Sequence, residues 1–259
     1  MTATTAPALT VRPAPAGPSL ARLTGVELRK LADTRAGRWL LAAIGLIAAA
    51  IVAVQLFVLD DDAQTFTGFF TPSLLPIGLL LPVLGILSIT AEWSQRTALT
   101  TFALVPRRER VVVAKLAALV LAALASVVVS LAVATVGMLV AQVTGGAGSW
   151  AFDWSLLLHA AVLQVANVLM GAAFGLLLLN TPLAIVSYLL LPTVWTILAA
   201  MVAALRGLAR WLDTSATMEP LFGPEVTAGQ WGRLAVSLLV WVAVPLAAGL
   251  VRTLRREVA

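Results

Sequence analysis

Residues 89–116, ITAEWSQRTALTTFALVPRRERVVVAKL, gather most of the groups in this chain that could recognise another molecule. Glu92, Arg96, Arg107, Arg108, Glu109, Arg110 and Lys115 lie between two hydrophobic runs, and five of the chain's seventeen lysines and arginines are among them. Their chemistry is ionic recognition, because guanidinium groups bind carboxylates and phosphates through paired N–H donors. In so apolar a chain, such a cluster either holds a loop against an anionic leaflet or docks a soluble partner. Sets suited to catalysis are missing. The single histidine, His159, and the absence of cysteine rule out a cysteine metal site, a disulfide frame and thiol chemistry. There is no HExxH and no Ser/His/Asp set on one side. Lys30 follows Arg29 and Lys115 follows Ala114, so the chain has no GxxxxGK[ST] loop to cradle a nucleotide. Buried carboxylates, the usual proton or sodium couplers, are missing from the apolar runs.

The elements that carry these groups must be membrane spans. The chain has 259 residues, 61% hydrophobic and 11% charged, with a mean hydropathy of +1.00. Soluble domains carry roughly 25% charged residues, and a helix crosses the hydrocarbon with about 20 apolar residues. No ionisable residue interrupts the intervals between Arg38 and Asp60, Asp62 and Glu92, Lys115 and Asp153, or Arg233 and Arg252. Of Asp, Glu, Lys, Arg and His, only His159 falls between Asp153 and Arg206. Six spans are predicted, near 39–59, 72–91, 112–141, 155–180, 183–204 and 233–251. The fourth and fifth divide at Leu179–Asn180–Thr181–Pro182, because Pro182 suits the first turn of a new helix.

Charge sets the expected orientation. With the N-terminus in the cytoplasm, 14 of the 17 cations fall on inner segments, and only Arg206, Arg210 and Arg233 lie outside. The positive-inside rule favours this arrangement. It accounts for the pI near 11 without nucleic acid. Residues 1–18, rich in Thr, Ala and Pro, read as a disordered cytoplasmic tail rather than a signal peptide. Residues 19–38 read as an amphipathic helix on the membrane surface, capped by Ser19, and 253–259 as a second cytoplasmic tail.

Local patterns refine the picture. Pro72 can start the second span, whereas Pro76 and Pro82 remove backbone donors and should kink it. His159, Gln164 and Asn167 on the fourth span, and Ser187, Tyr188, Thr193, Trp195 and Thr196 on the fifth, should face protein or a cavity. The outer segment 205–232 is too apolar for a free loop; a re-entrant pair of helices and a surface cap both fit. Trp150, Trp154, Trp211 and Trp231 fall near the outer interface, and Thr227 with Gln230 forms a capping box for the last helix. Residues 94–105 read as a short amphipathic helix ended by Pro106, with Ala98, Leu99, Phe102 and Val105 on one side. Such a helix is a lever for a soluble partner.

Glu92, Thr97, Pro106, Arg107, Arg110 and Lys115 together resemble the first cytoplasmic loop of ABC exporter permeases of the type 2 class. ELRKLADTRAGRWLL (27–41) is similar to that family's helix before its first span, and residues 211–258 resemble the C-terminal end of its actinobacterial members. The resemblance runs in order over about residues 22 to 258; Arg96 departs from it, standing where glycine is expected before the threonine. It implies an all-α integral membrane protein, with six transmembrane helices in 39–252, an N-terminal interfacial connecting helix and a short cytoplasmic coupling helix. It implies no enzyme activity and no cofactor on this chain, with ATP and Mg on partner ATPase subunits, two copies of which would seat on the coupling helix. Glu92, Arg96, Thr97, Thr100, Arg107 and Arg108 would meet that ATPase. A second permease, identical or homologous, would complete a dimer in the membrane lipid. In related exporters the second and fifth spans line the cavity, which makes Phe57, Tyr188, Thr193, Trp195 and Thr196 the expected substrate contacts for an amphipathic solute such as a drug, antibiotic, peptide or lipid-like molecule. A non-transporting membrane scaffold or immunity protein, and a self-sufficient carrier, are the alternative classes.

Overall fold

The computed structural model describes residues 17–95, 107–146 and 148–255. Six of its helices are long and apolar enough to cross a membrane: α2 (Arg35–Val58), α3 (Phe66–Ser94), α4 (Arg108–Val143), α5 (Ser155–Leu178), α6 (Thr181–Met201) and α9 (Ala228–Arg255). They alternate in direction, so Arg35 and Arg38 of α2, Arg108 and Arg110 of α4, and Arg252 and Arg255 of α9 gather at one end of the bundle, where the adjoining ends of α5 and α6 carry no arginine. The protein is a multi-pass membrane protein by the length and composition of these helices. Preceding them is α1 (Leu20–Asp33), and between α6 and α9 come the short α7 (Arg206–Leu212) and α8 (Thr214–Met218). Among the described residues there is no strand.

Local chemistry sets the breaks. Ser19 Oγ caps α1 by accepting from Arg22 N at 3.3 Å. Helix α1 stops at Asp33 rather than continuing to 38, because Thr34 leaves the helical region and its Oγ1 accepts from Gly37 N at 3.1 Å, starting α2. Gly37 makes this corner possible: a Cβ there would lie 1.9 Å from the Leu31 carbonyl oxygen. The fourth and fifth spans divide where expected. Leu179 takes a left-handed conformation (φ 51°), and Asn180 Oδ1 caps α6 by accepting from Leu183 N at 3.0 Å. The capping box at Thr227 and Gln230 is formed in both directions. Despite Pro72, Pro76 and Pro82, α3 remains one continuous helix from Phe66 to Ser94.

Helix α3 is the centre of the bundle, packed against α2, α4, α5 and α6. Ile77, Leu81 and Leu84 of α3 meet Leu119 and Ala123 of α4 and Val168, Ala172 and Leu176 of α5. Nearer the opposite end, Phe69, Phe70, Met138 and Leu156 form a second cluster. Phe152 packs edge-on against Phe66 and Phe70, with ring centroids 5.2 and 5.3 Å apart. Small residues bring backbones together, as in other membrane bundles: a Cβ on Gly171 would come 2.5 Å from the Pro82 oxygen.

The segment between α6 and α9 folds back into the bundle. Met218 and Leu221 pack on Leu163 and Ala166, which lie well inside α5. Trp241 Nε1 donates to the Leu212 carbonyl at 2.7 Å. Trp241 stands thirteen residues into α9, about 20 Å along its axis. The segment therefore packs against α9 well inside that helix rather than only at its start. A π turn at Leu239–Ala243 interrupts α9 at this contact.

Candidate functional site

At the arginine-rich end, four charges from three helices form one network. Lys115 at the base of α4 donates to Glu27 Oε2 of α1 at 2.7 Å and pairs with Glu92 Oε1 of α3 at 3.1 Å. Lys30 of α1 pairs with Glu27 Oε1 at 2.7 Å and with the same Glu92 oxygen at 3.1 Å. Each carboxylate therefore bridges both lysines, and these are the only two lysines in the chain. Lys115 also donates to the Ser88 carbonyl at 3.3 Å. The Glu27 and Lys115 side chains are only 6% and 7% exposed. Breaking such a pair would leave an uncompensated buried charge. Burial by itself pushes the Lys30 ammonium pKa down, but the Glu27 hydrogen bond and the charges of Glu27 and Glu92 outweigh it. The ammonium is held above the ordinary lysine value.

This network sits where residues 96–106 leave α3 and return to α4. Two more bonds brace the joint. Arg110 Nη2 donates to the Pro18 carbonyl at 2.7 Å, tying the start of α1 to α4. Arg108 Nη1 donates to the Thr253 carbonyl at 3.3 Å, tying α4 to the end of α9. Arg252 of α9 donates in turn to the Leu177 carbonyl of α5. A cleft of about 470 Å³, lined by Glu27, Lys30, Ser88, Glu92 and Thr181 among others, opens beside the charges.

Of the residues expected at a partner ATPase, Glu92 belongs to the network, Arg107 is exposed, and Arg108 is turned toward α9. Arg96, Thr97 and Thr100, with most of the expected coupling helix, lie outside the described residues. Sequence reasoning missed Glu27. Its signal was present in hindsight: a glutamate three residues before Lys30 on a helix otherwise rich in arginine.

The expected cavity residues divide. Tyr188 and Thr193 line one cleft of about 480 Å³ between α3, α5 and α6, closed on one side by α8. Thr196 instead donates to Asp213 Oδ1 at 3.0 Å, and that carboxylate also caps α8 by accepting from Ser215 N at 2.9 Å. Trp195 is half-buried with its indole N–H unpaired. Phe57 is 90% exposed on α2 and does not line the cleft. His159 Nδ1 meets the Gly223 carbonyl at 2.9 Å, and its ring lies 5.8 Å from that of Trp231. It anchors the segment between α8 and α9.

No protein-family model matches this chain, and no curated protein matches it.

Proposed function

We propose that the protein is the transmembrane subunit of an ATP-binding cassette exporter of the type 2 class. It would lie in the cytoplasmic membrane with its arginine-rich end inward. A separate ATPase, two copies per complex, supplies ATP and Mg, and a second permease subunit, identical or homologous, completes the transport path. The chain itself hydrolyses nothing. The observation that carries this reading is the four-charge network. It ties the surface helix α1 to the bases of α3 and α4, on either side of the basic stretch 96–110. A force applied to that stretch by a soluble partner would reach three helices at once, which is what alternating access driven from outside the bilayer requires. The absence of carboxylates from the span interiors, away from the helix ends, supports an energy source on another chain.

The test is recovery of the full chain from its native membranes in mild detergent, followed by mass spectrometry of what accompanies it. A stoichiometric soluble ATPase with a P-loop is the expected companion, and Arg107→Glu should weaken its retention while the protein still inserts. Arg107 is preferred to Arg108, whose reversal would also break the bond to α9. Recovery of the chain without any ATPase at every detergent strength would overturn the proposal. A stoichiometric companion lacking a P-loop would favour the scaffold class.

A further inference from the structure

The cleft walled by α3, α5 and α6 contains polar groups that the bundle leaves unpaired at the middle of the spans. Asn167, twelve residues into the 24-residue α5, is half-buried on the cleft wall. Its side-chain amide makes no hydrogen bond within the described residues. One turn earlier, Gln164 is wholly buried. Its Nε2 donates to the Leu74 carbonyl at 3.0 Å, and its Oε1 has no partner. Both amides converge on Gly78 of the cleft wall: the Asn167 nitrogen and Gln164 Oε1 stand 3.6 and 3.7 Å from where a Gly78 Cβ would be.

Two prolines add acceptors at the same place. Pro82 has no N–H, so the Gly78 carbonyl lacks its donor from one turn ahead. The Tyr188 hydroxyl reaches it only at 3.5 Å, a weak bond. Pro192, also on the wall, likewise removes the donor for the Tyr188 carbonyl. Unpaired polar groups at this depth are expensive in hydrocarbon. They are tolerated where a cavity supplies a partner.

The remainder of the lining specifies that partner. Leu74, Leu75, Leu79, Met170 and Phe222 provide an apolar wall. The one charged lining residue is Glu219, exposed at the α8 end, and no lysine or arginine contributes. An anionic head would meet carbonyl oxygens and a carboxylate with no cation to balance it. A head that donates hydrogen bonds would meet the Asn167 amide and the Gly78 carbonyl on the lining, while Gln164 Oε1 lies beside Gly78 but off the lining. We propose that this cleft binds an amphiphile whose head group donates hydrogen bonds and carries no negative charge. The site belongs to this chain alone and holds whether or not an ATPase partner is found.

The experiment uses the purified full chain in phosphatidylcholine nanodiscs. Three photoreactive probes share one diazirine-bearing acyl chain: a monoacylglycerol, its primary-amine analogue and the corresponding lysophosphatidate. The first two should label peptides of α3, α5 and α6 saturably, and the anion at least about tenfold more weakly, the discrimination expected from one poorly matched charge. Asn167→Leu should reduce monoacylglycerol labelling without lowering the thermal midpoint. Thr193→Trp, a change at an exposed position on the rim, blocks the cleft without disturbing the core and should do the same if Asn167→Leu fails to fold. Competition by a soluble short-chain monoacylglycerol would show a solute reaching the site from water, and competition only by a long-chain one would show a bilayer lipid. Equal labelling by lysophosphatidate, labelling unchanged in both variants, or unsaturable labelling over all exposed faces would overturn the proposal. The readout needs no ATPase, so its failure leaves the membrane-recovery experiment untouched.

Discussion

Glu27 shows how single residues carry this structure. Its carboxylate takes both lysines at 2.7 Å, and it sits on α1, the helix before the first span. We predict that Lys115→Met destabilises the protein by about 3–5 kcal/mol, because two carboxylates then share one half-exposed cation in a poorly solvated site. Thermal unfolding in detergent measures this. Lys30→Met should cost under about 1 kcal/mol, since its side chain is 44% exposed and solvent screens its charge. The pH dependence follows from the direction of the Lys30 shift. Its folded pKa is raised, so its contribution is complete below the unfolded value of about 10.4. It is lost as pH rises through the higher folded value. The wild-type thermal midpoint should therefore fall in strongly alkaline buffer, and Lys30→Met should show less of that fall. An equal alkaline decline in both proteins would refute this assignment.

At the level of elements, close backbone approaches decide where helices turn and cross. Gly37→Val should unseat the corner between α1 and α2, because a Cβ there meets the Leu31 oxygen at 1.9 Å. The expected outcome is a loss of several degrees in melting temperature together with new protease sensitivity near residues 31–37. Gly171→Leu should separate α5 from α3 at Pro82 and cost about 1–3 kcal/mol or more, as overpacking does. Gly229→Ala serves as the control: nothing lies within 4 Å of its would-be Cβ, and stability should change little or rise. The segment between α6 and α9 is tied to the bundle by hydrogen bonds of Trp241, Asp213 and His159 at three separate points. Trp241→Phe removes only the indole donor to Leu212 and should loosen α7 while sparing the remainder of the bundle, which hydrogen exchange can resolve by segment.

For the whole molecule, the alternation of six spans places residues 61 and 109 at opposite ends of the bundle. The chain contains no cysteine, so single substitutions can be labelled without background. With the proposed orientation, a membrane-impermeant maleimide should reach Asp61→Cys from outside intact cells and Glu109→Cys only after permeabilisation. The reverse pattern would invert the protein and remove the partner ATPase from reach. Helices α2 and α6 bury the least of their surface within this chain. Phe57, Leu190 and Ile197 on these helices are exposed within this chain.

The sequence alone determined the span count and much of the punctuation. Twenty-residue charge-free runs can satisfy their backbones in hydrocarbon only as helices, so composition dictates six crossings. Caps act within four residues, so Ser19 and Thr227 were readable one at a time. The end of α1 at Asp33 was not, since amphipathic spacing continues past it and only the Gly37 corner shows why the chain turns. Of the substrate contacts that the resemblance implies, Tyr188 and Thr193 share a cleft, whereas Phe57 is exposed on α2 away from it. The pairing of Glu27 with Lys115, 88 residues apart, and the meeting of Asn167, Gln164 and Tyr188 at Gly78 were decided by tertiary structure. Charge and amide identity say that a polar side chain needs a partner. Which partner it finds, or whether it is left waiting for one, depends on how α1, α3, α4, α5 and α6 pack.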